Sequence, residues 1–188
     1  MLRAATLGDA AFISRVVITS WQDAYRDFLP SSFLASLVRS PYHDARCWEH
    51  RISEHNSFAW IISDGDSDVG VVRIIVGASF IPDTNAQLTT LYLLPQARGH
   101  GFGSEALSFA RAEVSRRAAG VLGVCVLAGN KGGKRFYERW GARRIGERVA
   151  SASMTNRSWM SYIGSVIRGF FDFKLDPTQI LPACRHSG

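Results

Sequence analysis

The chain has 188 residues, of which 46% are hydrophobic and 20% are charged, and its formal net charge is +6. This length suits one domain with its own core, and no apolar run approaches the roughly 20 residues of a membrane-spanning helix, so we expect no membrane partner. The positive charge fits nucleic acid, a polyanionic small ligand or solubility alone, but without a long run of Lys or Arg we do not expect nucleic acid to be the partner.

The first half of the chain alternates between helical and strand patterns. In chain order these patterns predict a strand, three helices and two strands, over residues 2–5, 9–25, 31–38, 41–53, 58–62 and 69–76. Thr6 and Asp9 have the spacing of a capping box at the start of the first helix. The last two strands are joined by a turn of Asp, Gly and Ser residues, so we expect a hairpin.

The second half predicts strands and helices in alternation. They are expected over 86–94 (strand), 103–119 (helix), 121–127 (strand), 131–140 (helix), 142–149 (strand) and 158–163 (strand). Gly120 and Gly141 end the two helices. This order predicts an α/β (α+β) fold with a mixed sheet in one domain over 1–163, followed by a tail over 164–188 of unknown role.

The segment 91–104 carries the clearest functional pattern. A strand-like apolar run leads into a helix through one arginine and three glycines, Arg98, Gly99, Gly101 and Gly103. The first N–H groups of a helix have no partner within it, and the helix dipole favours negative charge there. Because glycine lets a phosphate approach the backbone closely, the segment predicts a site for a phosphorylated ligand.

Two other phosphate-binding patterns fit this chain poorly. The dinucleotide fingerprint fits at 101–106, but it needs an acidic residue about 20 positions on, and none occurs between Glu113 and Glu138. The P-loop pattern around 129–135 lacks its first glycine, and Arg135 replaces the hydroxyl residue that would bind magnesium. Neither pattern therefore identifies the ligand.

The R-x-x-G-x-G/A pattern at 98–103 resembles the acetyl-CoA loop of the GCN5-related N-acetyltransferase (GNAT) family. Asn130, followed by a helix with Phe-Tyr-Glu at 136–138, is similar to the family's second cofactor motif. The resemblance covers about residues 2–149. It includes two further N-terminal segments, 3–9 and 20–30. It implies a GNAT-like acyl-CoA N-acyltransferase fold, with a largely antiparallel central sheet, two splayed parallel strands and flanking helices.

The resemblance also implies acetyl-CoA as the donor, no metal, and a set of binding residues. Backbone groups for the pantetheine arm would come from Leu91, Tyr92 and Leu93. The pyrophosphate would meet the amides of Arg98, Gly99, His100, Gly101, Phe102, Gly103 and Ser104. Asn130 would hydrogen-bond the arm from the other side, and Tyr137 would protonate the leaving thiolate.

Purely structural roles are the alternatives for several of these residues. The alternative role of Asn130 is to cap the N-terminus of its helix. The alternative for Tyr137 is that it is an aromatic residue of the core whose hydroxyl hydrogen-bonds elsewhere. The alternative role of Arg98 is to fix the loop without touching phosphate. The alternative for His100 is that it is a loop residue that faces solvent. Cys125 lies on an apolar strand and is expected in the core.

One catalytic position departs from the family's usual pattern. Many members carry a Glu as general base near the start of the strand before the glycines, and Gln87 stands there in this chain. An amide cannot usefully accept a proton near neutral pH, although it can orient a water. Asp83, or a chain of waters that reaches solvent, would then take the role of the general base.

These observations predict an enzyme that transfers an acetyl group from acetyl-CoA to the primary amine of an unidentified acceptor, a small molecule or a peptide. The alternative is a non-catalytic acyl-CoA-binding sensor or partner-binding module, which Gln87 would favour. The odd, widely spaced cysteines predict neither zinc nor disulfides, so we expect a cytoplasmic protein. Dimers are common in the family, and a homodimer is therefore one expectation.

Overall fold

The computed structural model describes residues 1–40, 43–77, 81, 83–118, 120–149 and 163–168. A seven-stranded sheet runs through them in the order β1-β2-β3-β4-β5-β7-β6. The strands are β1 (Leu2–Ala4), β2 (Ser57–Asp64), β3 (Ser67–Val76), β4 (Ala86–Leu93), β5 (Leu122–Val126), β6 (Arg143–Val149) and β7 (Ile163–Arg168). The helices are α1 (Ala10–Ala24), α2 (Ser31–Ser36), α3 (Ala45–Ser53), α4 (Phe102–Ala118) and α5 (Lys131–Arg139).

The first four strands form an antiparallel meander, and β2 and β3 are the predicted hairpin. β4 then pairs with β5 in parallel. The mixed, largely antiparallel sheet is therefore confirmed. None of the helices in the described part of the chain is both long and apolar enough to cross a membrane.

β4 and β5 stay paired over only three residues each, 86–88 and 122–124. Beyond that point β5 turns to β7, which pairs with Cys125 and Val126. β4 carries one extra residue relative to β3, because Thr90 lies opposite Arg73 and Leu88 lies opposite Ile74. Such a bulge bends a strand and increases its twist, and it helps to open the gap between β4 and β5.

The two faces of the sheet are covered by different helices. Strand residues alternate between faces, so each strand supplies both sides. The core on the α4 side includes Val72, Ile74, Leu88, Leu107 and Val124. The core on the side of α1 and α3 includes Ile13, Val17, Trp48, Ile61 and Val71.

The predicted elements are present with small shifts, except near the C-terminus. α3 begins at Ala45, later than predicted, because Asp44 caps it by accepting a hydrogen bond from the Cys47 N–H (2.8 Å). Of the strand predicted over 158–163, only Ile163 lies within the described residues, and β7 runs on from there to Arg168. Five residues that we assigned to the tail therefore belong to the sheet, and residues 169–188 lie outside the described part.

Candidate active site

A cleft of about 600 Å³ lies where β4 and β5 separate. One wall is formed by residues 88–93 of β4 and another by 124–126 of β5. The C-terminal end of α1, the glycine loop (residues 98–104), and α5 with its cap Asn130 complete its lining. Sequence-predicted residues that line it are Leu91, Tyr92, Leu93, Arg98, Gly99, Gly101, Gly103, Ser104, Asn130 and Tyr137.

The glycine loop needs glycine at two positions because its backbone is left-handed there. Gly99 and Gly101 have φ of 83° and 90°, which other residues adopt only at a cost. α4 begins within this loop, at Phe102, and the N–H groups of Ser104 and Glu105 bond to the Gly101 carbonyl. The N–H groups of residues 99–101 take part in none of the described backbone hydrogen bonds. Those of residues 102 and 103 lie in the first helical turn, where the helix offers no acceptor.

Arg98 ties the glycine loop to the rest of the molecule. Its guanidinium forms an ion pair with Asp23 on α1, and its Nε donates to the Leu93 carbonyl (3.3 Å). The Ser20 hydroxyl donates to the same carbonyl (3.0 Å). These contacts support the reading that Arg98 fixes the loop, although its side chain also lines the cleft.

The backbone of β4 presents alternate residues to the cleft. The Leu94 N–H bonds to Val69 on β3, so the backbone groups of Leu94 and Tyr92 face β3. Those of Leu91 and Leu93 face the opposite way, toward the gap. Because the Leu93 carbonyl already accepts two bonds, the groups left to meet a ligand are those of Leu91 and the Leu93 N–H. Because its backbone groups face β3, Tyr92 lines the cleft through its side chain.

Asn130 and Tyr137 belong to α5 and its cap. Asn130 Oδ1 accepts a hydrogen bond from the Gly133 N–H (2.8 Å), so this residue is an N-cap as well as a lining residue. Tyr137 is 8% exposed and lines the cleft. Burial raises the pKa of its hydroxyl, and the nearby Tyr25 and Cys125 raise it further. The phenol is therefore protonated at neutral pH and able to donate.

Four predicted residues do not line the cleft. Gln87 is 3% exposed and lies on the face of β4 opposite Leu88, and its Oε1 accepts no hydrogen bond from the described residues. Asp83 is exposed in the preceding loop. His100 is exposed, and the half-buried Phe102 packs against the core on the α4 side.

The cleft lining also includes residues that sequence reasoning did not assign to the site, and Ser20, Tyr25 and Cys125 are among them. Ser20 and Tyr25 lie at the end of α1, where polar residues interrupt the apolar helical pattern, and that interruption is a signal. Cys125 was expected in the core, and that expectation was wrong: it is half-buried and lines the cleft, because β5 leaves β4 just before it. An entirely apolar strand gives no sign of such an opening.

The cleft is suited to an anionic ligand. Among the described lining residues the charged side chains are Arg98 and Arg139, and no carboxylate is present. The described part of the chain also contains no group of three His, Cys, Asp or Glu side chains placed to hold a metal ion.

Comparison with known proteins identifies this arrangement. A family model described as Acetyltransferase (GNAT) family matches residues 18–142. No curated protein matches the chain.

Several solved structures share the fold at low sequence identity. The PaiA N-acetyltransferase of Thermoplasma acidophilum, in complex with coenzyme A, has a TM-score of 0.67 at 16% identity, over 88% of this chain and 96% of that one. A GCN5-related N-acetyltransferase from Rhodopseudomonas palustris has a TM-score of 0.67 at 19% identity, over 88% and 92%. Mutant forms of the spermidine/spermine N-acetyltransferase SpeG from Vibrio cholerae have a TM-score of 0.61 at 16% identity, over 89% and 92%.

Proposed function

Because this chain belongs to the acetyltransferase (GNAT) family, it is an acetyl-CoA-dependent N-acetyltransferase, and we propose that the cleft between β4 and β5 is where transfer takes place. The observation that carries this proposal is the separation of these strands beside the glycine loop. Within the described part of the chain, it leaves backbone groups of Leu91 and Leu93 without strand partners on the cleft side. They suit the amide-bearing pantetheine arm.

The phosphates of acetyl-CoA would bind at the start of α4. The amides of residues 99–103 supply donors, and the helix dipole adds a positive potential. Arg98 and Arg139 add charge at the cleft wall. A Cβ atom added to Gly99 or Gly101 would meet no neighbouring atom within 4 Å, so the backbone there is openly approachable.

In the proposed reaction the acceptor amine attacks the thioester carbonyl carbon. The new C–N bond forms, the C–S bond breaks, and its electron pair stays on sulfur. Tyr137 would donate a hydrogen bond to that sulfur. Because burial holds the pKa of Tyr137 above its usual value, and a thiol titrates near 8.5, the phenol keeps its proton and acts as a donor. This step needs no metal.

The residue at the general-base position limits which acceptor amines can react. Gln87 does not line the cleft, and the described lining residues include no carboxylate. The amine would therefore have to arrive unprotonated, or lose its proton through water. We propose a weakly basic primary amine, such as an α-amino group with a pKa of about 8, as the acceptor. A polyamine like the substrate in SpeG's name would arrive with several positive charges and would find no carboxylate among the described lining residues.

Calorimetry with acetyl-CoA tests the site. Gly101→Asp places a carboxylate among the phosphate donors and should weaken binding at least about 100-fold. Gly65→Asp is the matched control, because Gly65 also has a positive φ and open space around its Cβ but lies in the β2–β3 turn. Wild-type protein that binds no acetyl-CoA at millimolar concentration, or a control that loses binding equally, would overturn the proposal.

The compartment and the assembly are proposals of the same kind. The chain has three cysteines, an odd and widely spaced set in the sequence, which suits a reducing cytoplasm. A homodimer is the expected assembly, and light scattering on the purified protein measures it.

A further inference from the structure

Three tyrosines converge in the cleft, and the proposed function uses the hydroxyl of only one. Tyr25 stands at the C-terminal end of α1, Tyr92 on β4 and Tyr137 on α5, and all three line the cleft. Tyr25 is 5% exposed. Its ring packs edge-on against Trp21, with centroids 4.9 Å apart. A phenylalanine would make the same ring contacts, so the packing does not explain the hydroxyl.

The hydroxyl of Tyr25 ends a directed chain of hydrogen bonds. The Trp21 indole, which can only donate, gives its N–H to the Tyr92 oxygen (2.8 Å). The Tyr92 hydroxyl in turn hydrogen-bonds to the oxygen of Tyr25, and the Asn130 side chain does so as well. The Asn130 carbonyl oxygen is engaged by Gly133, which leaves its NH₂ group to donate.

A hydroxyl has one proton and two lone pairs. With two donors directed at its oxygen, Tyr25 has only its own proton left to give. Tyr25 lines the same cleft as Tyr137, and the two side chains interact electrostatically. Hydrogen bonds in a chain polarise one another, so a phenol that accepts two is a better donor.

We propose that Tyr25 is a second catalytic residue, whose hydroxyl donates a hydrogen bond to the CoA sulfur as the thiolate leaves. This inference rests on the proposed function, because it takes the cleft to hold the thioester beside Tyr137. Tyr25 keeps its proton throughout. The proton that ends on sulfur is the one lost by the attacking amine, carried by water.

The test measures how strongly the cleft stabilises a thiolate, without turnover. Affinities of CoA and desulfo-CoA, which lacks the thiol, are measured by calorimetry between about pH 6.5 and 9.5, around the thiol pKa of about 8.5. A cleft that stabilises thiolate binds CoA more tightly as the thiol ionises, and desulfo-CoA shows no such gain. The titratable and charged groups around this region are Tyr92, Cys125, Tyr137, Arg139, and Arg98 with its ion-pair partner Asp23. Because cysteine thiols as a class ordinarily titrate in the same range, every protein carries Cys125→Ser, so that CoA brings the one thiol in the described cleft lining.

In the parent protein the ratio of CoA to desulfo-CoA affinity should rise about tenfold over this range, which corresponds to one unit of thiol pKa. In Tyr25→Phe the rise should fall below about threefold, with the desulfo-CoA affinity unchanged. Tyr92→Phe removes one donor to Tyr25 but keeps its hydroxyl, and should give an intermediate rise.

Three outcomes would overturn the inference. An identical rise in the parent and Tyr25→Phe would show that Tyr25 does not meet the sulfur. An equal loss for both ligands would show that the hydroxyl only shapes the cleft. A parent protein that binds neither ligand would overturn the proposed function as well. If Tyr25→Phe fails to fold, Tyr92→Phe provides the test. A rise in its ratio of CoA to desulfo-CoA affinity equal to that of the parent would exclude a role for the hydrogen-bond chain that ends at Tyr25.

Discussion

At the scale of single residues, the chemistry depends on hydroxyls that stay protonated. Burial raises the pKa of Tyr25, of Tyr92 and of Tyr137. A raised phenol pKa extends the protonated, donating form to higher pH than usual. The cleft therefore holds donors whose state does not change across the physiological range, and the pH dependence of the rate should come from the acceptor amine.

We expect Tyr137→Phe to lower kcat about 100-fold while the acetyl-CoA affinity stays within about twofold, because the lost donor acts on charge that develops during the reaction. In the wild type, kcat/KM should rise with pH until the amine is deprotonated, with no fall up to about pH 10. Steady-state kinetics from pH 6 to 10 measure both effects. An unchanged kcat in the variant would contradict the role given to Tyr137.

At the scale of elements, the first helix is fixed at both ends by charged side chains. At its start, Asp9 accepts hydrogen bonds from the Thr6 backbone N–H (2.7 Å) and from the two terminal nitrogens of the Arg3 guanidinium (2.8 and 2.9 Å). At its end, Asp23 pairs with Arg98 in the glycine loop. The helix thus joins the first strand to the cleft.

Asp9→Asn should destabilise the protein by about 1 kcal/mol at pH 7, because it removes an ion pair and weakens the capping box. Hydrogen bonds from Arg3 hold the pKa of Asp9 well below its usual value. The stabilisation is therefore complete above about pH 4 and is lost as the pH falls further and the folded state is protonated. Urea unfolding at pH 7 and pH 3 should show a difference from wild type that shrinks at pH 3. Asp66→Asn, on an exposed turn, is the control and should change neither value.

Asp23→Asn should weaken acetyl-CoA binding about fivefold, since Arg98 then loses its charged partner and the glycine loop is held less firmly. Asp27→Asn removes an exposed carboxylate just beyond the same helix and should leave the affinity unchanged. Calorimetry on the two variants separates a local effect on the loop from a general change in charge. If Asp23→Asn bound acetyl-CoA as tightly as the wild type does, the glycine loop would be held by its backbone alone.

The sequence predicted the elements better than it predicted the directions of their side chains. Helical and strand periodicity is local, so α4 was placed within one residue of its observed bounds. The bulge at Thr89 is not visible in that periodicity. It shifts the alternation by one, so Gln87 lies on the face opposite Leu91 rather than on the same face. The roles assigned to Gln87 and to the binding residues remain predictions.

At the scale of the whole molecule, the cleft depends on a strand from the far end of the sequence. β7 lies between β5 and β6, and it pairs with β5 at the point where β5 leaves β4. The sheet therefore continues on the other side of the cleft only because β7 is present. A boundary placed at residue 163 would cut this strand away.

Truncation after residue 162 should reduce acetyl-CoA binding at least about tenfold and lower the midpoint of thermal unfolding by several degrees, because Cys125 and Val126 lose their strand partner. Truncation after residue 168 keeps β7 and serves as the comparison. Calorimetry and circular dichroism measure the two effects. Full binding by the shorter protein would show that the tail boundary at 163 was right.

The gap between β4 and β5 also has a consequence for handling the protein. Two sheet edges face each other across it, and unpaired edges are the places where chains add to one another and aggregate. A ligand in the cleft occupies these edges as a missing strand would, and it also shifts the equilibrium toward the folded form. Preparations stored with CoA should therefore stay monodisperse at concentrations where the empty protein precipitates.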